Sequence, residues 1–217
     1  MVTRRNNLHR NKKQRTSYDR ALIICEGSKT EPSYFGEIRS VHRLHTANIQ
    51  IRPSEYGTSP LQVVQYAHDL FINGDHHRDI LPKDFDHVFV VIDRDDHLNY
   101  HDALQRANSL HNKLTNNLKQ KIGFCIIASV PSFELWLLLH FEDVLHPIHR
   151  NEVVKRLKKH LPNYTKNTQG IFITTRSKID SARQRALSLA KNHDAYDGKE
   201  PYTNVHELID FLVTLRN

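Results

Sequence analysis

Residues 21–32 read ALIICEGSKTEP. Five apolar residues, rich in Ile and without alternation, stop abruptly at Glu26-Gly27. Such a run suits a strand covered on both faces of a parallel sheet, which needs no polar side. Thr30-Glu31-Pro32 then opens a helix. Thr30 can cap it, Pro32 fits its first turn, and Glu31 suits its positive end. Tyr34, Phe35, Ile38, Val41 and Leu44 supply that helix with an apolar face.

The pattern repeats outward. A strand is expected at Ile49–Arg52, then a helix from Pro60 to Asn73-Gly74 with Leu61, Val64, Ala67, Leu70 and Phe71 inward. HVFVVI, residues 87–92, is a second buried strand and stops at Asp93-Arg94-Asp95-Asp96. A helix is expected over about 101–118. GFCIIAS, residues 123–129, is another buried strand, and FELWLLLHF, residues 133–141, reads as a very apolar helix. From His149 onward only helices are expected, over 151–161, 171–192 with a break near Thr174, and 204–215. Strands alternating with helices predict an α/β fold, with a mainly parallel four-stranded sheet flanked by helices and a C-terminal helical extension. The expected division is a basic arm at 1–17, an α/β core at 18–146 and a helical extension at 147–217.

Composition narrows the class. Of 217 residues, 31 are Lys or Arg and 24 are Asp or Glu, for a net charge of +7. Residues 1–20 hold seven of the bases and one acid, so +6 of that charge sits in the arm and the rest is nearly neutral. Arg4, Arg5, Arg10, Lys12, Lys13 and Arg15 could contact a polyanion; the plainer reading of the arm is a solubilising tail. Cys25 and Cys125 lie in apolar runs and read as buried residues rather than a disulfide framework. No stretch approaches a membrane span, and the basic N-terminus lacks a secretory apolar segment. The expectation is a soluble cytoplasmic protein with no membrane partner. No GxGxxG, P-loop or nucleophile elbow occurs, which argues against a dinucleotide site, a Walker ATPase and a serine hydrolase. Sixteen histidines occur without HExxH or CxxC, so zinc is not expected.

Ligands of open α/β sheets bind beyond the carboxyl ends of the strands. Glu26 follows the first strand, Asp93 and Asp95 the third, and Glu134 lies just past the fourth. Taken singly, Glu-Gly after a strand is ordinarily a turn, and Asp-x-Asp commonly caps the next helix. Glu134 in an apolar helix is more unusual: a buried carboxylate faces a solvated cleft, pairs with a base or ligates an ion. The topology gathers these acids on one edge, where Mg²⁺ or Mn²⁺ could offset their repulsion and serve phosphodiester chemistry. Lys29 is the best-placed base for a phosphate. Glu31, His97 and Lys166 are weaker candidates; Glu31 is equally well read as a complement to the helix dipole, and His97 as a proton-transfer group.

These segments also resemble a known family. LIICEGSKTEPSYF resembles the "CEGxxTEpxYf" signature of RloB/AbiLii proteins, VFVVIDRDDH their "DxD" strand end, and SVPSFELWLLLHFE their "NPcFExWLLLHF" segment. Tyr164-Thr165-Lys166 and PYTNVHEL, residues 201–208, are similar to the "YxK" and "NPsTxVhxL" features. Ser132 stands where the family often has Cys, and Val130-Pro131 where it often has Asn-Pro. That family is similar to Toprim domains, in which a Glu after the first strand and a later DxD form a catalytic metal site. Carried over, these are Glu26, Asp93 and Asp95. The resemblance implies a nuclease of bacterial phage-defence or restriction-associated loci, often encoded beside an AAA/ABC-type ATPase, with oligomerisation open. The alternative is a non-catalytic module that binds nucleic acid or docks the ATPase.

Overall fold

The structure is a computed structural model and describes residues 19–198 and 201–215. The arm bases Arg4, Arg5, Arg10, Lys12, Lys13 and Arg15 lie outside the described residues.

Four parallel strands form the centre: β1 (Ala21–Cys25), β2 (Ile49–Pro53), β3 (His87–Asp93) and β4 (Gly123–Val130). A fifth, β5 (Tyr202–Thr203), runs antiparallel to β4, giving the order β2-β1-β3-β4-β5. The unalternated runs are explained by the two covered faces. Ala21, Ile23, Cys25, Phe89, Val91 and Ile127 face one apolar cluster, while Leu22, Ile24, Val88, Val90, Ile92 and Phe124 face the other. The first cluster is closed by α1 (Thr30–Val41), α4 (Glu134–Leu138), α5 (Arg150–His160), α6 (Ile171–Thr175), α7 (Ile179–Leu189) and α8 (Val205–Thr214). The second is closed by α2 (Pro60–Asn73) and α3 (Tyr100–Leu110). Helices α5 to α8 therefore share one core with the sheet.

The expected four-stranded sheet is corrected to five strands. Two residues carry no periodicity, so β5 leaves no strand signal in the sequence. Its pairing is secured from the side chain of Asn204. The Asn204 Oδ1 accepts from Ala128 N at 2.7 Å, and its Nδ2 donates to Ile126 O at 3.1 Å.

Three helices are shorter than expected. Of the expected 133–141 helix only Glu134–Leu138 is α-helical, with turns following it. α3 stops at Leu110 because the following segment turns back on itself. Asn112 adopts a φ of 55°, and Asn116 Oδ1 accepts from both Leu118 N and Gln120 N at 2.9 Å. Asparagine favours such local turns over continued helix. The expected 171–192 helix divides at a 3₁₀ turn, Arg176–Lys178, next to the anticipated break. No helix among the described residues is long and apolar enough to cross a membrane.

Candidate metal centre

Parallel register aligns the strand ends. Cys25 pairs with Val91, and Asp93 with Ser129, so Glu26, Asp93 and the Ser129–Glu134 segment leave the sheet side by side. Backbone bonds continue past the strands: Glu26 N to Val91 O at 2.9 Å, Arg94 N to Ser129 O at 2.9 Å and Asp95 N to Pro131 O at 3.0 Å. They hold the loops that carry the acids. Asp95 has a φ of 37°, a left-handed conformation that Asp tolerates better than most residues.

Glu26, Asp95 and His97 each bring one ligand atom into a group whose members all lie within 4.8 Å of one another, and so could hold a metal ion. Glu26 Oε2 accepts from Asp93 N at 3.0 Å, and its Oε1 lies 3.5 Å from His97 Nε2. Asp95 Oδ2 pairs with Arg150 Nη1 at 2.8 Å, leaving a buried Oδ1 without a partner. Asp93 Oδ1 is likewise buried and unpartnered. A carboxylate oxygen each from Glu26 and Asp95 with the His97 imidazole is a donor set for a divalent cation, and the buried, unpartnered oxygens of Asp95 and Asp93 lie in the same acidic region, so the residues present fit such an ion.

The remaining acids stand close by. Glu31 is buried, and its Oε1 accepts from Gly27 N at 3.2 Å. Glu134 is also buried; its Oε2 accepts from Ser132 Oγ at 2.8 Å and its Oε1 from Tyr164 OH at 3.0 Å. Of the three options for this carboxylate, a base partner is not what the structure has. Glu134 is held by two hydroxyls and lines the cleft with the other acids. That cleft, about 420 Å³, is also lined by Lys29, Lys166 and Arg150. Thr30 does not cap α1 with its side chain; its Oγ1 donates to Lys166 O at 3.0 Å, tying the Lys166 loop to the start of the helix.

Crowding is visible in proton affinity. Burial, then the neighbouring Asp95 and Glu31 carboxylates, push Glu26 up to about 8, against the opposing Asp93 N–H bond and Lys166. Burial lifts Asp93 well above the usual carboxylate range, helped by Glu31, Glu26, Glu134 and Asp95. Asp95 and Glu31 shift the same way, mainly through burial.

A pH dependence follows. Glu26 titrates at about 8 in the folded chain against an ordinary 4.5, so between those values the folded state holds the extra proton. Its contribution to stability is complete below the unfolded value and is lost as pH rises through 8. His140 has the opposite sign: burial lowers it from 6.5 to about 4, so its contribution is lost as pH falls. His206 is lowered in the same way, so above pH 6.5 neither histidine opposes the carboxylates, and Cys25 and Cys125, both raised by burial, act in the carboxylates' direction. The metal-free protein is therefore expected to melt at falling temperature from about pH 6.5 to about 8.5, and Mn²⁺ or Mg²⁺ should flatten that slope. Thermal melts in EDTA and in millimolar Mn²⁺ check this; a melting temperature that rises over the same interval in EDTA contradicts it.

The structure thus brings Glu26, Asp93, Asp95, Glu134, Glu31, His97, Lys29 and Lys166 to one cleft. Sequence reasoning missed Arg150, the ion-pair partner of Asp95, and gave no role to Tyr164 or Ser132, which hold Glu134. Arg150 starts α5, 55 residues from Asp95, with no local signal of the meeting. Arg94, inside the Asp-x-Asp, is half-buried over the Tyr100 ring, 5.6 Å from its centroid.

No curated protein and no solved structure matches this chain. The protein family described as RloB-like protein matches it over residues 21–212, from the first residue of β1 into the last turns of α8. With its sheet, its cleft and the helical extension as far as Leu212 inside that match, the chain belongs to the RloB-like family.

Proposed function

We propose that this cleft binds a divalent cation and cleaves a phosphodiester bond of DNA or RNA, as the nuclease of a bacterial anti-phage system that acts with an ATPase encoded nearby. The observation that carries the reading is the meeting of Glu26, Asp95 and His97 ligand atoms within 4.8 Å at the carboxyl edge of the sheet. The resemblance to Toprim domains, carried by Glu26, Asp93 and Asp95, supports it, and the resemblance to RloB/AbiLii proteins is what implies a defence locus.

Glu26, Asp95 and His97 would hold the ion, with Asp93 Oδ1 turned to the same acidic interior. Oxygen donors suit Mg²⁺ and Mn²⁺, and the imidazole favours Mn²⁺ of the two. Such an ion supplies charge for the phosphate and leaving oxygens and a more acidic bound water. The chain's own groups do the rest. Glu26 either ligates the ion or serves as the acid-base group; in the second role its carboxyl, pushed up to about 8 in the metal-free cleft, can carry a proton near neutral pH and release it. Glu134, fixed by Ser132 and Tyr164, completes the site or holds a second ion. Lys29 and Lys166 line the cleft where phosphate oxygens would enter.

The test is incubation with plasmid, single-stranded DNA, total RNA and tRNA in Mg²⁺, Mn²⁺ or EDTA, with and without the neighbouring ATPase. Cutting that needs metal and is lost with EDTA is expected. No cutting of any substrate, together with no metal bound by calorimetry, overturns the reading.

The arm adds a separate expectation. Removing residues 1–17 takes away Arg4, Arg5, Arg10, Lys12, Lys13 and Arg15. Nucleic-acid affinity at low salt should fall by about tenfold or more, with a shallower salt dependence, while the melting temperature stays nearly constant. Equal affinities in a salt titration of both chains would leave the arm a solubilising tail.

A further inference from the structure

A second cavity of about 580 Å³ adjoins the candidate centre and shares Asp95, His97 and Arg150 with it. It is far roomier than a cation or a single phosphate requires. One part of its wall is cationic, from Arg94 and Arg150. Another part is apolar, from Pro131, Pro147, Ile148 and Leu98, the last fully exposed to solvent. His101 stands at its edge, stacked on Tyr196 with ring centroids 6.0 Å apart and planes 7° from parallel. Of its two carboxylates, Asp95 is matched by Arg150 at 2.8 Å and Asp96 is exposed.

A single exposed aliphatic side chain is ordinary, but Leu98 lines one cavity with Pro131, Pro147 and Ile148, which makes an apolar patch beside the centre. Flat apolar contact, a ring at the edge and guanidinium groups together suit a nucleotide: base against the apolar wall, phosphate toward the arginines. A base can lie in such a pocket only when it is unstacked and unpaired. We infer that this cavity receives an unpaired base of a single-stranded segment, next to the phosphate held at the metal centre, so that the protein selects single strands or loops over duplex. The inference rests on the cleavage reading for where the strand lies.

The experiment measures binding by fluorescence anisotropy in EDTA, with labelled oligo-dT, oligo-U and a duplex, each of about a dozen nucleotides. The full chain is compared with Leu98→Ser and with Leu98→Ser/His101→Ala. The full chain is expected to hold one or both single strands about tenfold more tightly than the duplex, and the DNA and RNA arms show which sugar is preferred. The double variant should lose about tenfold on single strands and little on duplex. Leu98→Ser alone, at a fully exposed position, should lose about threefold, which guards against a loosened Tyr196 loop in the double variant. Equal affinity for duplex, no binding of either strand, or unchanged binding by both variants overturns the inference. Because binding is read without metal, a catalytically silent centre leaves a positive result standing, and an active nuclease without strand preference overturns this inference alone.

Discussion

Glu26→Gln is expected to lower metal-dependent cleavage by about a thousandfold while making the metal-free protein more stable at alkaline pH. Loss of an acid-base group alone is worth about 10²–10⁴ in rate, and a weakened metal site adds to it. The stability gain has a different source. The Glu26 side chain is about 10% exposed, and burial with Asp95 and Glu31 nearby pushes its carboxyl up to about 8. Above that pH the folded chain carries a poorly solvated charge that Gln lacks. Gln Oε1 can still accept from Asp93 N, so the local geometry survives. Relief of the shift is worth about 2–4 kcal/mol, or roughly 5 °C or more for a chain this long. Plasmid cleavage in Mn²⁺ and melts in EDTA near pH 8.5 give the two readouts. A purely structural Glu26 would reverse the second one: the variant would melt lower, and cleavage within tenfold of the parent chain would end its catalytic assignment.

Trp136→Ala carries the largest expected loss of stability, about 3–5 kcal/mol. Trp136 is fully buried where α4 meets α1 and the helices after it. Its Nε1–H donates to Tyr34 OH at 2.9 Å, and Tyr34 sits edge-on to Phe133 at 5.5 Å and to Phe172 at 5.6 Å. Truncation opens a cavity and removes the donor to a buried hydroxyl, two costs that add. Trp136→Phe keeps most of the volume and loses mainly the hydrogen bond, so about 1–2 kcal/mol is expected. Urea denaturation separates the variants. A Trp136→Ala loss below about 1.5 kcal/mol would mean the site collapses around the smaller residue.

The strands were legible because a sheet covered on both faces needs apolar residues at every position; Leu22 and Ile23 point to opposite clusters, yet neither could be polar. The acids were legible because the topology places strand ends together. What escaped depended on distant partners. β5 is two residues held by the Asn204 side chain, and Arg150 reaches Asp95 from another helix. The DxD spacing was only half informative. β3 ends at Asp93, and the left-handed conformation at Asp95 turns the chain away from the strand direction. The ligand trio therefore contains His97 with Asp95, while Asp93 stands behind.

The sheet pairing also sets how this chain must come together in time. Ala21 pairs with Ile49 and with His87, His87 with Gly123, and Ser129 with Thr203. Among the described residues none of these strand pairings is a hairpin, so each loop closes before its contacts repay the lost entropy, the circumstance that makes folding slow. The pairing of β1 with β3 that creates the centre of the sheet is also the event that drives Glu26 against Asp93 and Asp95. Electrostatic repulsion is thus met during assembly, so protons, and under the proposed function divalent cations, would bear on the rate of refolding as well as on the finished protein.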